Sequence, residues 1–161
     1  MIDTHCHLEM KPYDPDREDV IKRAREAGLE AIITIGSDFE GCKGAVELAS
    51  KYDFIYATVG IHPHDAKDFT EDIFNQIKRW AKGEGQKTKG KIVAIGEIGL
   101  DYHYDHSPRE IQKDVFKKQL YYAKEVNLPV IIHSREAKKD TLKILEESGV
   151  TKGVMHCFSG D

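Results

Sequence analysis

Cysteine is scarce in this 161-residue chain: Cys6, Cys42 and Cys157 stand in no paired spacing. That argues against a disulfide framework and points to a reducing, cytoplasmic setting. No stretch approaches the ~18 consecutive apolar residues of a membrane span. The opening MIDTHCHLEM lacks the basic region and apolar run of a signal peptide, so no membrane partner is expected. Positive charge is not in excess either, with 24 Lys and Arg against 28 Asp and Glu and a formal net charge of -4. A chain so balanced has no global attraction for nucleic acid; any polyanion it binds must be drawn by a local metal ion or small basic cluster. Low complexity is confined to KGEGQKTKGK at Lys82–Lys91, which reads as an exposed loop.

What the chain does have is enough apolar material, 40% of positions, to build the core of one domain. Two periodicities alternate along it. Short apolar runs rich in β-branched residues predict buried parallel strands at Met1–His5, Ala31–Ile35, Ile55–Val59, Ile92–Ile95, Pro129–Ile132 and Gly153–His156. Amphipathic patterns between them predict helices at Asp16–Ala27, Glu40–Lys51, Asp72–Lys82, Pro108–Val126 and Glu136–Ser148. Gly28 and Gly149 are expected to close the first and last helix. Ser107-Pro108 reads as an N-cap followed by proline at the first helical position, with Glu110 as capping-box partner. Strand–helix alternation implies a parallel sheet with helical crossovers. Six strands are three-quarters of a (β/α)₈ barrel, which typically needs ~250 residues; an open six-stranded doubly wound sheet fits the length better, so the chemistry must arbitrate.

The chemistry lies at the ends of these strands. In Asp3-Thr4-His5-Cys6-His7, side chains two apart project to one side, so His5 and His7 can chelate one ion while Cys6 turns into the apolar side. Glu97 follows the fourth apolar run between Gly96 and Gly99, His133 follows the fifth and His156 the sixth; His62 and His64 follow the third. In a parallel barrel these ends converge on one mouth, where active sites are built. The spacing suggests two metals, His5 and His7 holding one, His133 and His156 the other, with Glu97 bridging through its two oxygens. Mixed nitrogen and oxygen donors suit zinc, manganese or magnesium. Two such ions make a positive centre able to hold a phosphodiester, and a metal-bound water with its pKa lowered toward ~7 is the expected nucleophile. Arg135 is placed to reach phosphate oxygens with its planar fork, or else to pair with Glu136. Asp101 can orient a ligand from behind, and His103 and His106 belong to a His/Tyr-rich loop, LDYHYDHSP.

Five segments in order, DTHCHL at Asp3–Leu8, GIHPHDA at Gly60–Ala66, GEIGLDY at Gly96–Tyr102, HSRE at His133–Glu136 and HCFSG at His156–Gly160, resemble the TatD family of metal-dependent deoxyribonucleases, within the amidohydrolase-like barrel hydrolases. The resemblance spans the chain and implies a TIM-barrel fold, here about six of eight βα units in a single partial domain, residues 1–161. It implies two-metal hydrolysis of DNA, exonucleolytic in most of the family. His5, His7, Glu97, His133 and His156 match the metal ligands, with Glu97 as bridge and catalytic residue, and His62, His64 and Arg135 match positions near the phosphate. In the family a further ETD-P motif supplies an aspartate to the first metal; nothing here matches it, and Asp161 is not its equivalent. The chain is therefore expected to be a partial version of a longer protein. Open first and last strands would then invite aggregation or completion by another copy. DNA is the expected substrate. The same centre would also serve another phosphoester, a lactone, an amide or an aminoacyl ester, and a third reading is a non-catalytic metal-binding fragment.

Overall fold

A computed structural model describes residues 1–84 and 88–158. The middle of the glycine–lysine loop and the final three residues, Asp161 included, lie outside them. Six parallel strands, β1 (Ile2–Cys6), β2 (Ala31–Ile35), β3 (Ile55–Val59), β4 (Ile92–Asp101), β5 (Val130–Arg135) and β6 (Gly153–Met155), form one sheet in the order of the chain. Helices α1 (Arg17–Glu26), α2 (Phe39–Lys51), α3 (Glu71–Ala81), α4 (Arg109–Glu125) and α5 (Lys138–Ser148) form the crossovers. Each strand lies beside its sequence neighbour, which is the curl of a barrel wall. In a doubly wound sheet the strand order would reverse partway.

The core follows from the apolar patterns. Ile95, Ile98 and Leu100 of β4 are fully buried against Phe116 and Leu120 of α4, and Ile77 and Trp80 of α3 close over Ala57 and Val59 of β3. A smaller cluster joins Ile21 of α1 to Ile32, Leu48, Phe54 and Ile55. Burial is heaviest in β3 and β4 and lightest in β1 and β6, as expected of strands with one neighbour each. Among the described residues no helix is long and apolar enough to cross a membrane.

The elements differ from the sequence expectations where the site begins. β4 does not stop at Ile95 but continues to Asp101, and β5 continues to Arg135. The glycines that read as breakers are what let the strands run on. A Cβ on Gly99, whose φ is +142°, would sit 1.9 Å from the His133 carbonyl oxygen, and one on Gly96 would sit 2.7 Å from Ile131 Cβ. Two strands approach so closely only where one lacks side chains. β4 also carries one extra residue against β5, since Ile95 pairs with Val130 but Ile98 with Ile132; β1 does the same against β2 between Asp3 and Cys6. Bulges re-aim side chains, and His5 and Glu97 sit in these two.

The helix ends supply one correction. Gly149 does close α5 in the left-handed conformation, and Gly28, at φ +86°, follows the last residue of α1's cap. Ser107, however, does not cap α4, where Pro108 occupies the cap position without any side-chain bond. The buried Ser107 hydroxyl instead donates to the His64 carbonyl at 2.8 Å and accepts from the Lys67 amide at 3.0 Å, because the loop after β3 lies against it. Glu110 turns outward to Lys113 rather than back to the cap.

Candidate metal centre

The carboxylate of Glu97, 6% exposed, is the hub of the strand ends. Its Oε2 lies 3.5 Å from His5 Nε2, while Oε1 lies 3.1 Å from His133 Nδ1 and 3.8 Å from His62 Nε2. Two groups of metal-compatible donors share it, His5–His7–Glu97 and His62–Glu97–His133, each with its ligand atoms within 4.8 Å of one another. The second group departs from the pairing expected from strand order. His62 rather than His156 joins His133, because the turn after β3 folds its ring against the His133 ring at 4.5 Å. His156 stacks on His5 at 3.7 Å and 13°, placing it on the β1 side.

Supports behind these rings fix their orientation. The His7 Nδ1 lies 3.1 Å from the Ile35 carbonyl and 3.3 Å from Glu9 Oε1, so an Nδ1 proton is held there and Nε2 is left to face the site. Glu9, 2% exposed in its side chain, accepts from Thr34 Oγ1 at 2.5 Å. Arg17 steadies the same turn by donating to the Leu8, Glu9 and Met10 carbonyls. On the far side, Asp101 Oδ2 receives both His133 Nε2 at 2.9 Å and His64 Nε2 at 3.0 Å. Its Oδ1 accepts from the amides of His103 and Tyr104. Glu9 was missed by the sequence reading; it stands in the turn that follows β1, where the Met10 amide bonds back to the His7 carbonyl and the chain is no longer extended.

The electrostatics suit a cation. Burial alone would raise the Glu97 carboxyl, but the His133 hydrogen bond and the His62 and His156 rings outweigh it and hold it at about 2. Asp101 likewise falls to about 2 against its burial, through the Tyr104 amide and the His133 and His64 rings. Burial, reinforced by His133, drops His62 to about 3, and burial with His156 lowers His5. Both imidazoles are therefore neutral, the form that ligates. The Glu9 bond raises His7, and bonds to Glu97 and Asp101 raise His133 against its desolvation. Burial pushes the Cys6 and Cys42 thiols up to about 12, which leaves them inert apolar fillers.

The donor set fits a divalent metal on one decisive observation: the buried His5 Nε2 has no hydrogen-bond partner among the described residues. Buried imidazole nitrogens are seldom left so, and this one faces a carboxylate oxygen at more than hydrogen-bond length. Of the other expected site residues, His64 lies between the centre and the rim, its ring 4.4 Å from His62. Arg135 is exposed, with its guanidinium over the Tyr104 ring at 4.8 Å. Glu136 pairs with His103.

Comparison with known proteins places this geometry. A relative named an uncharacterized metal-dependent hydrolase, YabD of Bacillus subtilis, is 49% identical over 162 residues, covering 99% of this chain and 61% of the relative. The 3'-5' ssDNA/RNA exonuclease TatD of Pantoea ananatis is 36% identical, covering 99% of this chain and 60% of its own length. The crystal structure of YjjV, a TatD homolog from Escherichia coli, superposes with a TM-score of 0.88 at 34% identity, over 100% of this chain and 61% of that one. The chain thus spans about three-fifths of the length of these relatives. The family model for TatD related DNase matches residues 2–161, and the chain belongs to that family of metal-dependent hydrolases.

Proposed function

We propose that the protein hydrolyses phosphodiester bonds of single-stranded nucleic acid, DNA first, from a strand end, at a two-metal centre in a single partial-barrel domain. The observation that carries this is Glu97, one buried carboxylate with an oxygen toward each of two histidine groups. His5, His7, His156 and Glu97 Oε2 would hold one divalent ion, zinc, manganese or magnesium; His133, with His62 beside it, and Glu97 Oε1 would hold the other. The chemistry supplied at such a site would be a water of lowered pKa and neutralisation of charge building on phosphoryl oxygens.

The chain's own residues do the rest. Glu97 keeps its negative charge across the neutral range and fixes the separation of the two groups. Glu9 and Asp101 hold the His7 and His133 rings in a single tautomer and orientation, so no reorganisation accompanies reaction. His64, held by Asp101 beside the His62 ring, flanks the centre, and Arg135 offers the fork that recognises phosphate oxygens.

Release of nucleotides from a 3'-labelled single strand in Mn²⁺, lost in EDTA and reduced at least a thousandfold by Glu97→Ala, is the expected result. A full-length protein inert on every single strand, yet active on a lactone or an aminoacyl ester, would transfer the same centre to that substrate class.

A further inference from the structure

The loop after β4 builds an aromatic surface beside the Glu97 cluster, with His64 and Arg135 at its edge. Tyr104 and His106 lie with their rings parallel, 2° apart in plane at 5.4 Å between centroids. The Arg135 guanidinium covers Tyr104 at 4.8 Å. The His64 ring meets both edge-on, at 5.5 Å from Tyr104 and 4.6 Å from His106. Tyr104 is nonetheless 50% exposed, although a ring of its size normally seeks burial. Asp101 ties this surface to the centre, since one of its oxygens accepts from the Tyr104 amide and the other from His64 and His133. An exposed aromatic group, held rigidly two rings from a carboxylate–histidine cluster and capped by a guanidinium, has the composition of a base-stacking platform.

We propose that the nucleobase next to the scissile phosphate extends the exposed stack of Arg135, Tyr104 and His106, adding to its outer face, and that this selects unpaired strands. The proposal rests on the nuclease reading above and names the subsite that makes it specific. A base inside a duplex already has both faces covered and cannot extend this stack. A face contact ignores the sugar's 2'-hydroxyl and the identity of the base, so DNA and RNA single strands of any sequence qualify. Arg135 serves twice, its plane toward the ring and its N–H groups toward the adjoining phosphate.

The test is binding of a fluorescein-labelled octathymidylate and of an abasic octamer to the EDTA-treated protein, with Mn²⁺-loaded hydrolysis of the abasic octamer measured in parallel. Tyr104→Ala is expected to weaken octathymidylate binding roughly 5- to 100-fold and to leave both binding and hydrolysis of the abasic strand unchanged. Tyr104→Trp is expected to keep affinity, and its emission, distinguishable from that of Trp80 in the core, should be quenched by octathymidylate alone. Equal loss for both strands, no loss for either, or unquenched emission in Tyr104→Trp would overturn the stacking role. A wild-type protein that shows base-dependent binding but hydrolyses neither strand would instead overturn the nuclease reading and leave the platform standing.

Discussion

Glu9 touches no expected substrate atom, yet its carboxylate fixes the His7 ring while the Thr34 hydroxyl fixes the carboxylate. Glu9→Gln is expected to weaken Mn²⁺ or Zn²⁺ binding about 10- to 100-fold with little change in secondary structure, measured by calorimetric titration. Gly99 makes the opposite kind of prediction, through space rather than charge. Gly99→Ala would drive a methyl into the His133 carbonyl at a backbone angle that side chains avoid, and should cost on the order of 2–5 kcal/mol in urea unfolding. The sequence shows where His5, His7, Glu97 and His133 converge because each ends or follows an apolar run. It hides Glu9, whose partner Thr34 lies on another strand, and it pairs His133 with His156 because strand order says nothing about how the turn after β3 folds His62 inward.

α4 shows how a helix aims loops. Gln112 is buried and accepts from the Asp101 amide at 2.8 Å while donating to the Asp101 and Ser107 carbonyls. One turn pair further along, Gln119 accepts from the Ile61 amide at 2.7 Å and donates to its carbonyl at 3.0 Å. One face of α4 thereby clamps the backbone of both segments that carry His62, His64 and Asp101. Gln112→Leu should leave these backbone groups buried and unpaired, at a cost of about 2–4 kcal/mol, and metal affinity should fall with it; thermal melts with and without Mn²⁺ separate the two effects. Helix periodicity located α4 to within a residue at each end, but amphipathic patterning treats glutamine as a solvent residue, so this polar clamp is invisible to it. Ser107 misled for a related reason: a serine before proline is a local signal, and the contact that claims its hydroxyl comes from 43 residues away in the loop that carries His64.

At the scale of the molecule, among the described residues β1 and β6 each have one neighbouring strand, and Val154 within β6 and Phe158 just after it are largely exposed. A cleft of about 660 Å³ opens there, lined by Met155, His156 and Phe158 against α5. A 161-residue chain of this sequence is expected to associate as concentration rises, with sedimentation velocity showing the weight-average mass climb. Divalent metal should raise the melting temperature, since an ion at a hundred times its dissociation constant adds about 2.7 kcal/mol to stability; EDTA should reverse the shift and Glu97→Ala should abolish it. The unbroken strand order carries one more consequence. Because no strand must wait for a later one to be inserted beside it, a nascent chain can lay the wall down from the N-terminus as it leaves the ribosome. The imidazoles of β1 emerge first and stay without their carboxylate until β4 has been synthesised, so ion capture would mark the moment when most of the wall is already standing.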